Sequence, residues 1–323
     1  MRGIKFQGLL LAFVVLMSIF FTSPSHRFLS SKGKTTPQFL AEPAKSQELK
    51  SENFSATAAI LETTSAGDNT AVIHSKKADV SAEIFLKRLL NSGVNLAEQK
   101  IENRWPIASL TKLMTALLVA EKVDLNSTVL LSENATNQEG TIGNFQPGEK
   151  YKAYDLLKAM LFLSSNDAAE ALAEVYNEKV LTKDQINAGQ DFVFMMNQKA
   201  SELGMSNTKY VDPTGLSFLN QSTANDLAKL VNYIYLNHPE ILKITAQKTI
   251  SFIELNSGKI KTFNNLNEFA GEPNFLGGKT GYINESKGNL VSLFQDPNGR
   301  GPILIIVLGS EDRFRDTRQL LNN

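Results

Sequence analysis

Hydrophobic and polar positions divide the chain into three stretches. An unbroken apolar run extends from Gly8 to Phe21, with Arg2 and Lys5 ahead of it. From His26 to about Ala78 the residues are mostly Ser, Thr, Lys, Glu and Ala, with Pro37 and Pro43 and little periodicity. From about Val80 onward, apolar positions recur with the periods of helices and strands, and no internal repeat is present. The expected layout is a targeting segment over 1–25, a flexible tether over 26–78 and one folded domain over 79–323.

Within that domain AEIFLKRLL predicts a first strand. After Pro106, Leu110, Leu113, Met114, Leu117 and Leu118 recur at three and four residues and predict a helix. A loop-rich region leads to a helix over about Ala153–Leu163 that breaks at Ser164-Ser165-Asn166. Ser or Asn in that break caps a second helix through AAEALAEVY. DQINAGQDFVFMMNQKASELG predicts one long helix closed by Gly204, and STANDLAKLVNYIYL another, opened by a capping box Thr223-x-x-Asp226.

After Ile244 the period changes. TISFIEL and IKTF predict a hairpin around Ser257-Gly258, and NFLGGKTGY, NLVSLF and PILIIVLGS predict three further strands. DPNGRG joins the last two, and DRFRDTRQLL is a terminal helix. One strand, many helices and then consecutive strands make the fold class α/β, with an antiparallel β-sheet flanked by helices and an all-helical subdomain.

Composition narrows the chemistry. Lys plus Arg and Asp plus Glu each number 33, so no net charge draws the chain to nucleic acid or to an acidic membrane. There are no cysteines, which excludes disulfides, thiol catalysis and cysteine-rich zinc sites. The three histidines are His26 and His74 in the tether and His238 in LNHPEI, which reads as a helix end. A Ser-His-Asp triad or a multi-histidine metal site does not fit them. Any serine nucleophile must find another base.

The charged start followed by the Gly8–Phe21 run has the order of an export signal. The run is shorter than the roughly 20 residues of a full span. No Ala-x-Ala site follows it, and Ser23-Pro24-Ser25 is a poor substitute, which favours an uncleaved signal anchor over a removed peptide. Arg27, Lys32 and Lys34 nearly balance the charge across the run, so orientation rests on the order of the regions.

Candidate chemistry begins at Ser109 and Lys112, three apart at the start of the helix after Pro106. Residues i and i+3 share a helix face, so the ammonium can reach the hydroxyl. The spacing alone is cheap, recurring at Ser31–Lys34 and Ser206–Lys209. Two further patterns follow in order: Ser164-x-Asn166 in the break between helices, and Lys279-Thr280-Gly281 on a strand after a glycine pair. Each alone reads as a helix cap or an exposed strand end. Their joint occurrence, in this order and these contexts, is far more specific.

At these residues the chain resembles a family. ASLTKLMTALL, LSSNDAAEALAE and GGKTGYINESKGNLV look like the three signatures of the penicillin-recognising serine enzymes. More closely they resemble the low-molecular-mass penicillin-binding proteins, the serine-type D-alanyl-D-alanine carboxypeptidases, over roughly Val80 to Asn323. The resemblance implies an acyl-enzyme on Ser109 with Lys112 as base, and Ser164 relaying a proton to the leaving amine between Lys112 and Lys279. It places Asn166 on the peptide amide, and Lys279 with Thr280 on the terminal carboxylate. Gly281 would admit substrate to the strand edge, and the Ser109 and Tyr282 amides would face the oxyanion. Lys112 serves as base only when neutral, which costs a lysine of ordinary pKa about 4.6 kcal/mol at pH 7. Burial and a nearby cation such as Lys279 lower that cost. Asp212-Pro213-Thr214-Gly215 reads as a turn on its own chemistry, without a catalytic role.

The expected partners are a stem peptide ending in D-Ala-D-Ala, β-lactam antibiotics, and a membrane through the amino-terminal segment; no metal or cofactor is implied. Alternatives are a peptidoglycan DD-endopeptidase, a class A-like β-lactamase and a non-catalytic binding module. The Glu-x-x-Leu-Asn stretch with which class A enzymes deacylate is missing between Asn166 and Lys279. The middle motif carries Ser165 where relatives often have glycine or aspartate. Many carboxypeptidases of this group continue into a β-rich domain with a carboxyl-terminal anchor, whereas this sequence stops after its terminal helix, so attachment is expected at the amino end.

Overall fold

PILIIVLGS is apolar at nearly every position because the strand it forms is covered on both faces. The computed structural model describes residues 79–140 and 142–322, so the expected targeting segment and tether lie outside the described residues. Its main sheet has five antiparallel strands: β1 (Ile84–Leu89), β2 (Asn95–Gln99), β3 (Phe275–Ile283), β4 (Lys287–Gln295) and β5 (Pro302–Ser310). Their order is β2-β1-β5-β4-β3, with Leu86 opposite Ile306 and Val291 opposite both Ile306 and Lys279.

Side chains alternate across this sheet. Ile84, Leu86, Val291, Leu293, Leu304, Ile306 and Leu308 join the core of the helical region. Phe85, Leu290, Phe294, Ile303, Ile305 and Val307 face the other way, against Phe269, Phe275 and Leu320. Each fully buried side chain of this size contributes about 1.5–3 kcal/mol relative to exposure, so two cores share one sheet.

The longer helices are α1 (Lys112–Lys122), α2 (Ala153–Phe162), α3 (Asn166–Lys179), α4 (Phe192–Glu202), α5 (Ala224–Asn237), α6 (Pro239–Ala246) and α7 (Arg313–Asn322). The first six build the large core, and α7 covers the opposite face through Leu320 and Phe314. The chain enters the fold at Ser81, whose N–H and hydroxyl donate to the buried Asp316 carboxylate of α7. Ser310 Oγ donates to the same carboxylate at 2.6 Å.

Four local expectations change. The single helix over DQINAGQDFVFMMNQKASELG is two, Lys183–Asn187 and α4, because Gly189 turns left-handed at φ +75 and Asp191 caps anew by accepting from Phe194 N at 2.9 Å. Thr223 caps α5 by accepting from Asp226 N, but the reciprocal half of a capping box is missing. The Asp226 carboxylate instead binds Asn207 N, Thr208 Oγ1 and Lys229 Nζ. The chain after Pro106 makes a 3₁₀ turn, Ala108–Thr111, before α1 begins. Strand β2, half polar at the sheet edge, had no reading in the sequence. The hairpin Thr249–Ile253 with Ile260–Asn264 forms around Ser257-Gly258 as predicted.

Candidate active site

Ser109 is set by the sheet before it is set by its helix. Asn289, fully buried on β4, donates Nδ2 to Pro106 O at 2.9 Å and accepts from Gly309 N at 3.1 Å. Trp105 Nε1 donates to Ser286 O at 3.0 Å. The backbone then enters Ala108 at φ +48, a left-handed conformation that costs a non-glycine residue about 1–3 kcal/mol. In the 3₁₀ turn that follows, residues three apart eclipse. That stacks Lys112 over Ser109, with Nζ to Oγ at 3.2 Å.

Lys112 is completely buried, and its ammonium also donates to Asn166 Oδ1 at 2.6 Å and to the Thr214 carbonyl. Burial pushes its pKa down to about 7, against the opposing pull of the Asp212 charge. Near neutrality a large fraction of Lys112 is therefore an amine with a free lone pair.

Ser164 occupies the break between α2 and α3 at φ +60, held there while Ser165 caps α3 by accepting from Ala168 N. Its hydroxyl accepts from Lys279 Nζ at 2.9 Å. Lys279 is 2% exposed and also donates to its neighbour's carbonyl at Thr280, at 2.8 Å. Burial, the nearby Lys112 and the Arg313 guanidinium drive the Lys279 ammonium well below its ordinary range. A carboxylate brought by a ligand would supply a counter-charge that favours the ammonium.

The strand bearing Lys279 and Thr280 is the outer edge of the sheet. It passes so close to the nucleophile turn that a Cβ on Gly281 would stand 2.9 Å from Ile107 O and 3.2 Å from Ser109 N. The Gly281 carbonyl is held by Arg313 Nη1 at 2.9 Å. Two hydroxyls, two buried lysines and the amide of Ser109, beside a free strand edge, suit acyl transfer to and from a peptide carbonyl.

Residues 69–311 match the model of the D-alanyl-D-alanine carboxypeptidase family. The chain belongs to that family. A D-alanyl-D-alanine endopeptidase of Pseudomonas aeruginosa is 33% identical over 241 residues, 71% of this chain and 73% of its own. A D-alanyl-D-alanine carboxypeptidase of Mycobacterium tuberculosis is 33% identical over 217 residues, 66% of this chain and 70% of its own. The crystal structure of penicillin-binding protein D2 from Listeria monocytogenes with cefotaxime bound superposes with TM-score 0.64 at 29% identity, covering 75% of this chain and 96% of that one. The family read from the three motifs and the α/β architecture both agree with these matches.

Ser109, Lys112, Ser164, Asn166, Lys279, Thr280 and Gly281 lie together beside the edge strand β3, with two differences of detail. Ser164 bonds Lys279 but not Lys112, so only half of the expected bridge is present. Asn166 spends Oδ1 on Lys112 and one Nδ2 hydrogen on Glu139 O at 2.6 Å, leaving one N–H for a ligand. Tyr282 follows Gly281 on the edge strand with its ring 61% exposed. Sequence reasoning missed Arg313 and the contact of the Thr214 carbonyl with Lys112. Arg313 lies 32 residues beyond Gly281 with no spacing signal, and a backbone carbonyl leaves no mark in composition.

Proposed function

We propose that the protein hydrolyses the terminal D-alanine from peptidoglycan stem peptides through an acyl-enzyme on Ser109, and that β-lactams inhibit it by acylating the same oxygen. The observation that carries this is the Lys112 amine, buried and 3.2 Å from Ser109 Oγ. Lys112 takes the Ser109 proton as Oγ bonds to the carbonyl carbon. The oxyanion rests on the amides of Ser109 and Tyr282. The C–N bond then breaks as Ser164 passes its proton to the leaving amine and takes in its place the proton that Lys112 received from Ser109, which leaves Lys112 neutral again as D-alanine departs. Water then attacks the ester, again with Lys112 as base, and frees Ser109. Lys279 and Thr280 hold the substrate carboxylate, while Asn166 offers its remaining N–H to the acylated peptide.

A second reading, cleavage of D-alanyl cross-links, is favoured by the match to the Pseudomonas endopeptidase. The amino-terminal segment would export the domain and anchor it on the outer side of the membrane, with residues 26–78 as its tether. Among the described residues no helix is long and apolar enough to cross a membrane.

The test is intact-mass spectrometry of the full-length protein with benzylpenicillin, beside Ser109→Ala, and assay of D-alanine from a peptide ending in D-Ala-D-Ala. A persistent adduct on the wild type alone, with D-alanine release, supports the carboxypeptidase. An adduct lost within seconds would make it a β-lactamase, and no adduct and no product a binding module. Release from cross-linked dimers but not from the single stem would favour the endopeptidase.

A further inference from the structure

Lys112 Nζ has three polar neighbours: Asn166 Oδ1 at 2.6 Å, the Thr214 carbonyl, and Ser109 Oγ at 3.2 Å. A neutral amine has two N–H bonds and one lone pair, and an amide or backbone carbonyl oxygen can only accept. When those two oxygens take both N–H bonds, the lone pair is left facing the Ser109 hydroxyl. A base oriented in this way needs both acceptors fixed. Asn166 is fixed by Glu139 O.

The Thr214 carbonyl is fixed by an unusual turn. The Asp212 carboxylate accepts five hydrogen bonds: from Thr214 N at 2.8 Å, Thr214 Oγ1 at 2.7 Å, Gly215 N at 2.6 Å, Ser217 N at 3.0 Å and Asn220 Nδ2 at 2.7 Å. Thr115, one turn along α1 from Lys112, donates Oγ1 to Pro213 O at 2.7 Å. Gly215, at φ +85, lies against the Ala108 carbonyl so closely that no Cβ would fit. The turn is thus attached on both sides of the Ser109–Lys112 pair, and Asp212 is its hub.

Building on the Ser109–Lys112 reading, we propose that Asp212 is a positioning residue for the reaction: its carboxylate holds the turn whose Thr214 carbonyl aims the Lys112 lone pair at Ser109. Asp212 is the negative charge that acts on Lys112 against burial. The other charged groups around the amine and the turn are Lys279 on β3 with Arg313 beyond it, and Glu170 on α3, with Asp167 next to Asn166 in sequence. Burial pushes the Glu170 carboxyl up, as do the Glu174 and Asp212 charges; burial alone pushes Asp167 up. Neither accepts as many hydrogen bonds as the Asp212 carboxylate, which takes five.

The experiment follows the rate of acylation by benzylpenicillin against pH for the full-length wild type, Asp212→Asn and Asp212→Ser, with thermal melting to confirm folding. Serine keeps a turn-forming hydroxyl and repeats the measurement should the asparagine variant not fold. With the charge gone, Lys112 loses its proton more easily, so the acid limb moves to lower pH by roughly half to one unit. With the carbonyl loosened, the plateau above the limb falls by about tenfold to a hundredfold. A folded variant whose limb coincides with that of the wild type, or whose plateau is unchanged, overturns the proposal, since a merely structural role would not move the limb. Absence of any Ser109 adduct in the wild type is a separate outcome that overturns the underlying reading as well.

Discussion

Lys279 Nζ donates to Ser164 Oγ at 2.9 Å, while Lys112 Nζ donates to Ser109 Oγ at 3.2 Å, so each buried lysine serves its own serine. In the proposed reaction the first pair would serve the leaving amine and the second the attack of the nucleophile. Before substrate arrives the two pairs share no hydrogen bond. In that reaction a proton would have to cross from the Lys112 side to the Ser164 side, and the bound substrate would have to close that gap.

Removing the Ser164 hydroxyl breaks this path without touching the nucleophile. For Ser164→Ala we expect the rate of D-alanine release to fall by about 10²–10⁴-fold. Mass spectrometry of the penicillin adduct should still place it on Ser109. An unchanged turnover would mean that the leaving amine is protonated by another group.

Lys112 makes the acylation rate depend on pH in a definite direction. In the proposed mechanism the base is the neutral amine, and burial brings its pKa to about 7. The rate of adduct formation should rise with pH through about 7 and fall as the amine is protonated below it. A limb near the ordinary lysine range would show that Lys112 stays charged and that another group removes the proton.

Most of what positions the site was legible in the sequence, and the exceptions share a cause. The run PILIIVLGS and the Leu110–Leu118 periodicity marked elements whose side chains are buried, and burial leaves a pattern. Strand β2, NLAEQ, has Ala97 as its one buried residue, so its polarity hides its pairing with β1. Gly189 and Asp191 each suit a helix boundary, yet apolar residues on both sides kept one period running across them. Motif spacing revealed Ser109, Ser164 and Lys279. The Thr214 carbonyl that accepts from Lys112, and the Gly281 carbonyl that accepts from Arg313, belong to the backbone, which every sequence has in common.

Gly281 is required for space. In Gly281→Ala the new Cβ would meet Ile107 O at 2.9 Å and Ser109 N at 3.2 Å, both backbone atoms of the nucleophile turn. The strand edge and the turn must separate by a few tenths of an ångström, which misplaces the donors facing the oxyanion. Acylation by benzylpenicillin should slow by about tenfold to a hundredfold. Far-ultraviolet circular dichroism should be unchanged, since β3 keeps its pairing with β4; a wild-type acylation rate would show that the edge does not contact the acyl group.

Asn289 ties the approach to the nucleophile into the sheet. In Asn289→Leu the Gly309 N–H and the Pro106 carbonyl both lose their partner in a fully buried position. Each orphaned group costs about 1–3 kcal/mol. Chemical denaturation should show a loss of at least about 2 kcal/mol; a variant as stable as the wild type would mean that water replaces the amide.

Glu254 gives a stability test remote from the chemistry. Its carboxylate accepts from Lys150 N, Asn256 N, Ser257 N and Ser257 Oγ, joining the hairpin loop to the segment that precedes α2. These donors, led by the Lys150 amide, hold its pKa down to about 2. A carboxyl depressed in the folded state stabilises above its unfolded pKa of about 4.3, and that contribution is lost as pH falls through the folded value. Glu254→Gln should therefore lower the Tm of the wild type most at pH 6–7 by rough expectation from the same linkage. The two curves should converge as the pH approaches about 2. A Tm difference independent of pH would assign the effect of Glu254 to packing and not to its charge.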